Sequence, residues 1–360
     1  MFPTLLAPQD PSKSSSASTE KSEKFEAIVP EKKHWETDLI FLGSSNPQSS
    51  QRRIAARRAE DLLVSLKAII TNIKSKEEYE QKQGWFDEVF SNLCVVEWEK
   101  AKEEVSEILY KWGRFLLDNG KPKEGLDRFW EIYEKFVETR WHAQVFEELV
   151  ALYQTEDMAF IPGGTLTIGQ TSEEYLLRPY FIDIYPVTNL QYFEFIKDTG
   201  YPTPFHWIDD IYPIGKANHP VVWVSYEDAV AYSCWKNKRL PTDMEWENAA
   251  KGPESLSWPW SNQYEAKRCN CKDSGIGDTT PVGQYKTGKS FHQCYDMAGN
   301  VWEWIDSFYD ENRSYRTLRG GSWFTFEEFT TTTYRYFDFP DSRKGIYGFR
   351  CAKSFGRDKR

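Results

Sequence analysis

The chain has no run of about 18 consecutive apolar residues, the length a helix needs to cross a hydrocarbon core, so membrane insertion is not expected. No basic leader precedes an apolar stretch at its start, which predicts a cytoplasmic protein whose six cysteines stay reduced. Positive charge is in deficit, with 45 Lys and Arg against 55 Asp and Glu, which gives no electrostatic ground for a nucleic-acid partner. Cys-x-x-Cys spacing is missing, so Cys269, Cys271 and Cys294 read as packing residues rather than zinc ligands. Proline is missing from Gln51 until Pro122, which frees that stretch for helices.

What is present divides the chain. Residues 1–24 are rich in Ser, Lys and Glu with little to bury, and read as a disordered tail. Residues 25–155 read as an all-α domain: Ile54, Leu62, Leu66, Ile69 and Ile73 form a helical stripe that needs a partner. The stretch "ILYKWGRFLLDNGKPKEGLDRFWEIYEKF" gives a helix ending at Asn119-Gly120 and another beginning beyond Pro122. Trp112-Gly113, Gly120 and Leu126 to Phe129 fit one tetratricopeptide-like hairpin, and a generic bundle fits as well. From "TEDMAFIPGGTLTIGQ" the pattern changes to short strands broken by Gly and Pro. Residues 156–354 thus form an α+β domain held by aromatic packing, with 355–360 a basic tail. Aromatics are 16% of the chain and crowd into this half, more than a helical domain would need.

Several motifs explain themselves physically. In "LPTDMEWENAA", Thr242 caps a helix, Glu245 reaches back to the cap, and Trp246 points inward. The paired glycines of "PGG" and "RGG" let backbone pass under large rings. In "GNVWEW", Asn300 and Glu303 offer oxygens at a spacing that suits a hard cation.

These motifs, with "VTNLQYFEFIKDTGY", "LRGGSW" and "GFRCA", stand in the order of the formylglycine-generating enzyme (sulfatase-modifying factor) family, a variant of the C-type lectin fold, which residues 158–354 resemble. The resemblance implies a C-type-lectin-like domain. It also implies structural calcium at Asn300 and Glu303 and, beside the segment "CNCKDSGIGDTTPVG", at Asn270 and Asp278. The family's enzymes hold copper with two cysteines just after "RGGS", yet no cysteine stands here between Ser322 and Cys351. The family's iron branch uses His-x-x-x-His-x-Glu, a spacing that none of the five histidines makes. Neither copper nor iron is therefore expected. A structural disulfide at Cys351 is in doubt too, since its expected partner position is Ser233, with Cys234 beside it.

A further branch of the fold, the variable proteins of diversity-generating retroelements, resembles "LRGGSW", a changing run, Pro340-Asp341, Arg343, and Gly348 to Arg350. In that system mutated adenines turn Asn codons into Phe, Tyr, Thr, Ser, Asp, Ile or Gly. Phe324, Thr325, Phe326, Phe329, Tyr334, Tyr336, Phe337, Asp338, Phe339, Ser342, Gly345 and Ile346 belong to that set, while Glu327, Glu328 and Lys344 do not. With Tyr347 they make the candidate ligand-binding residues, rigid aromatic anchors with small polar spacers, some of which must face the core. The chain reads as a non-catalytic recognition protein for a protein ligand, with the helical domain coupling to a partner of its own. The alternatives are an oxidase of the formylglycine-generating type with an atypical metal site, and a non-diversified sensor of a prokaryotic defence or signalling system.

Overall fold

The computed structural model describes residues 102–167 and 174–356. The tail 1–24, the stripe from Ile54 to Ile73, and residues 357–360 of the basic tail lie outside the described residues.

Three helices come first: α1 (Lys102–Asp118), α2 (Pro122–Lys135) and α3 (Arg140–Tyr153). Helices α1 and α2 form the expected hairpin, turning at Gly120, whose φ of 72° suits glycine. The two cross closely at Gly113 and Gly125, where a Cβ on Gly113 would stand 2.6 Å from the Phe129 ring. No helix among the described residues is long and apolar enough to cross a membrane.

The second half carries β1 (Met158–Ile161), β2 (Gly164–Thr167), β3 (Glu174–Leu177), β4 (Tyr180–Asp183), α4 (Asn189–Thr199), α5 (Tyr226–Trp235) and α6 (Asp243–Lys251). Then follow β5 (Trp302–Phe308), β6 (Arg316–Arg319), β7 (Arg335–Asp338), β8 (Tyr347–Gly348) and β9 (Ala352–Ser354). Strands β1, β4 and β9 form an antiparallel sheet, β2 and β3 a hairpin, and β7-β6-β5-β8 a four-stranded sheet in which only the β5–β8 pair is parallel. All three helices of this half start on capping boxes, including the expected Thr242–Glu245 pair, and Trp246 behind it is fully buried.

Phe355 corrects one boundary. Expected in a basic tail, it is buried, and its ring touches Trp130, Tyr133, Phe146, Tyr153, Phe160 and Phe181. It thereby joins the helices to the β1-β4-β9 sheet in one apolar cluster. The other large core gathers Tyr192, Phe195, Trp207, Tyr232, Trp304, Tyr347 and Phe349 beneath the four-stranded sheet. Much of the aromatic surplus is therefore interior.

Candidate functional site

The stretch from Arg319 to Cys351 is held at both ends by buried charge. Arg350 meets Glu303 in two bonds, Nε to Oε2 at 2.7 Å and Nη2 to Oε1 at 2.8 Å, and neither side chain is exposed. Arg350 also donates to the carbonyls of Asp183, Ile184 and Tyr295. Arg319, equally buried, pairs with Glu247 at 2.7 Å and Asp243 at 2.5 Å and donates to the carbonyls of Thr332 and Tyr334. Planar guanidinium forks suit such sites because every donor finds an acceptor. Gly320 and Gly321 lie at φ of 93° and 76°, and a Cβ on Gly321 would come within 2.8 Å of Thr330, so "RGG" needs its glycines. Between the ends, Arg343 makes a two-pronged contact with Asp228 at the start of α5 (2.7 and 2.9 Å). Burial raises the Asp228 carboxyl, but the bonds from Arg343 and the Ser225 amide more than offset it, leaving it below the ordinary value.

The middle of the stretch differs. Phe324, Phe326, Phe337 and Phe339 are exposed, at 59%, 47%, 39% and 53%. As expected, not all of the candidate residues share one face, because β7 is a pleated edge strand whose neighbours point oppositely. Tyr334 and Tyr336 turn toward Trp302, with Tyr336 stacked on it at 5.0 Å. Phe337 and Phe339 turn the other way, against Tyr309 and Tyr315 (4.4 to 4.9 Å). A third group stands at the other end of the run, where the Lys272 ammonium lies over Phe326 at 4.0 Å and near Phe324 at 5.7 Å, and the Lys272 amide holds the Thr325 carbonyl.

Other members of the candidate set take different places. Glu327, Glu328 and Lys344 are exposed, while Phe329, Ser342 and Ile346 are half-buried. Tyr347 is not surface at all: it is fully buried and donates its hydroxyl to Asp338 at 2.6 Å. Burial raises the Asp338 carboxyl, but Lys344 and Tyr347 pull it back below its usual value. Thr325 caps its own turn, accepting from the Ser322 amide and donating to the Ser322 carbonyl. Gly345 is confined, since a Cβ there would press on the Trp223 indole at 3.0 Å.

The candidate cation residues hydrogen-bond to protein groups in this structure. Both carboxylate oxygens of Glu303 face Arg350, and Oε2 also accepts from the Trp246 indole at 2.7 Å. Asn300 spends its oxygen on the Thr280 amide and its NH2 on the Thr280 carbonyl. Asn270 accepts from Ser274 and donates to the Asp278 carbonyl, while the Asp278 carboxylate pairs with Lys216. Asn300 and Asn270 do meet, at 3.4 Å, as a hydrogen-bonded pair rather than as a cage of oxygens. Among the described residues no group of three His, Cys, Asp or Glu is arranged to hold a metal ion.

Sequence reasoning missed Lys272, Tyr309, Tyr315 and Trp223, all outside residues 324–347. Trp223 carries the one available signal, a bulky residue at φ of 62°, but that is visible only in three dimensions. Its amide bonds the Lys344 carbonyl, and its ring meets Phe205 at 4.6 Å. Cys234 is exposed and Cys351 buried, and neither is bridged.

The chain is similar to several known proteins. The bovine protein named inactive C-alpha-formylglycine-generating enzyme 2 is 31% identical over 57% of this chain and 90% of its own length. The formylglycine-generating enzyme of Thermomonospora curvata is 29% identical over 54% of this chain and 92% of its own. Among solved structures, Treponema denticola variable protein 1 aligns at a TM-score of 0.45 and 22% identity, covering 55% of this chain and 94% of that one. The sulfatase-modifying factor enzyme 1-like domain model matches residues 142–355, beginning inside α3, and the chain belongs to that family.

Proposed function

We propose that the C-terminal domain is a non-catalytic recognition module that binds a protein ligand through the exposed aromatics between Arg319 and Arg350. The observation that carries this reading is the contrast within one stretch: buried ion pairs fix its ends while four phenylalanines stand exposed between them. Rigid aromatic side chains lose little entropy on binding and present large contact areas, the composition of a paratope. Clusters of exposed apolar rings on a folded domain mark interaction sites.

The same stretch gives the family's copper chemistry no thiolates, since no cysteine lies between Ser322 and Cys351. One relative bears the name of an inactive enzyme and another the name of the enzyme itself, so membership of the family leaves the activity open. The residue pattern favours the inactive reading. Residue types of the diversified set at Phe324, Phe326, Phe337 and Phe339 support a surface that changes while its frame stays fixed.

The test has two arms. Libraries randomised at Phe324, Phe326, Phe337 and Phe339 and displayed on phage should stay folded and yield binders to unrelated protein targets. Failure to recover any, where a library on an established scaffold succeeds, rejects a recognition surface. Purified protein supplied with copper and a sulfatase-type cysteine peptide should make no formylglycine, and turnover would restore the oxidase reading.

A further inference from the structure

A second exposed apolar feature lies away from the variable run. Residues 208–211, Ile-Asp-Asp-Ile, form a two-residue hairpin: the Ile208 amide bonds the Ile211 carbonyl at 3.2 Å and the reverse bond is 3.0 Å. Asp209 and Asp210 lie at φ of 52° and 59°, the mirror-type turn that Asp and Asn tolerate. Ile208 is 78% exposed, Ile211 53%, and Ile214 wholly so. The base of the loop is fixed, because Trp207 is buried against Tyr192 and Tyr212, and Asp210 accepts from Thr203 at 2.8 Å. The tip is therefore an ordered knob, apolar on its flanks and acidic at its apex.

The complement is on the same chain. A groove of about 430 Å³ runs beside Trp260, Pro253 and the 63%-exposed Phe291, and it is rimmed by Lys286, Lys289 and Arg268, the last paired with Glu265 at 2.9 Å. Glu254 is the one acid lining it. Its character is the inverse of the knob's: aromatic residues bordered by a surplus of cations.

We propose that the acidic hairpin tip of one copy seats in the basic aromatic groove of a second copy, making the chain self-associate tip to groove. Opposite charge and shared apolar character on two patches of one molecule fit a heterologous contact, in which the two surfaces differ. Desolvated isoleucines supply the driving force, and the Asp209 and Asp210 carboxylates select the cationic rim.

Sedimentation of the full chain, from low to several hundred micromolar, is the measurement. The expected result is a mass that rises with concentration, with a midpoint that moves up at high salt because the steering charges are exposed. Asp209→Asn with Asp210→Asn keeps the turn and removes the charge, Ile208→Ser with Ile211→Ser removes the apolar flanks, and Lys286→Glu with Lys289→Glu reverses the rim. Each pair should raise the midpoint about tenfold, a change of roughly 1.4 kcal/mol in association, while the melting temperature stays near wild type. Mixing the Asn pair, whose groove is intact, with the rim-reversed pair, whose tip is intact, should restore association. A single-chain mass at every concentration overturns the proposal. So does association that neither tip nor groove variants weaken, which places the contact elsewhere, or a mixture that stays monomeric while wild type associates.

Discussion

Arg350 and Phe337 lie thirteen positions apart in sequence and differ in almost every physical respect. Arg350 is wholly buried, fixed by Glu303 and three backbone carbonyls. Phe337 is more than a third exposed, and its ring meets those of Tyr309, Tyr315 and Tyr336. The recognition module proposed above needs this division, because core residues cannot vary without cavities or strain. The frame takes its rigidity from charge and backbone hydrogen bonds, none of which the exposed phenylalanine rings supply.

The sharpest way to break that comparison is to cut the frame. Arg350→Met leaves the Glu303 carboxylate buried with only the Trp246 indole as donor, and losing one partner of a buried pair costs about 3–5 kcal/mol. The melting temperature should fall by roughly 10 °C, given about 2–4 °C per kcal/mol for a domain of this size. A variant melting within a degree or two of wild type would show that the ends are not the frame.

A smaller effect tests the frame through pH. Asp296 is buried beside Arg350, and burial, partly offset by the Gly283 amide and the Arg350 charge, raises its carboxyl to about 6. A carboxyl raised in the folded state binds its proton more tightly there than in the unfolded chain. Its contribution is most favourable below the ordinary range near pH 4, declines as pH rises toward about 6, and stays constant above. A rise of that size corresponds to roughly 2–3 kcal/mol. Asp296→Asn should therefore gain stability over wild type between pH 4.5 and 7 as chemical denaturation is followed, and parallel profiles would reject the raised carboxyl.

Much of the frame was legible in the sequence. The capping pair Thr242 and Glu245 and the glycines of "RGG" are local rules written in short motifs. The hairpin of α1 and α2 was legible for the same reason. The division of the aromatic rings between two faces was not, because composition cannot say where a pleated strand begins, and one residue of register decides whether Tyr336 or Phe337 faces Trp302. Tyr347 looked like surface by residue type and proved core, since β8 pairs in parallel with the buried β5. The pairing of Glu303 with Arg350 was not legible, because the two stand 47 residues apart in sequence.

The pleat itself can be tested at lower amplitude. Tyr336→Ala removes a ring stacked on buried Trp302, a pair worth about 0.5–1.5 kcal/mol beyond the area it covers. Phe324→Ala and Phe339→Ala remove exposed rings and should stay within about 0.5 kcal/mol. Thermal melts of the three should rank Tyr336→Ala as the one measurable loss, and equal losses would mean that β7 presents a single face.

The smallest expected change is none. Were the frame held by a cation at Asn300 and Glu303, a chelator would release stabilisation that mass action makes large, about 2.7 kcal/mol at a hundredfold excess over the dissociation constant. The oxygens are spent otherwise: Glu303 on Arg350 and Trp246, Asn300 on Thr280, Asn270 on Ser274, and Asp278 on Lys216. A calcium ion entering between Asn300 and Glu303 would have to displace the Arg350 guanidinium, exchanging one buried positive charge for another and leaving the arginine unpaired at a cost of several kcal/mol. Melting curves with excess chelator and with added calcium should therefore superimpose, and Glu303→Gln should destabilise the domain equally in both. A fall of several degrees with chelator, reversed by calcium and absent in Glu303→Gln, would replace the arginine frame with a cation frame and reduce Arg350 to a secondary part of it.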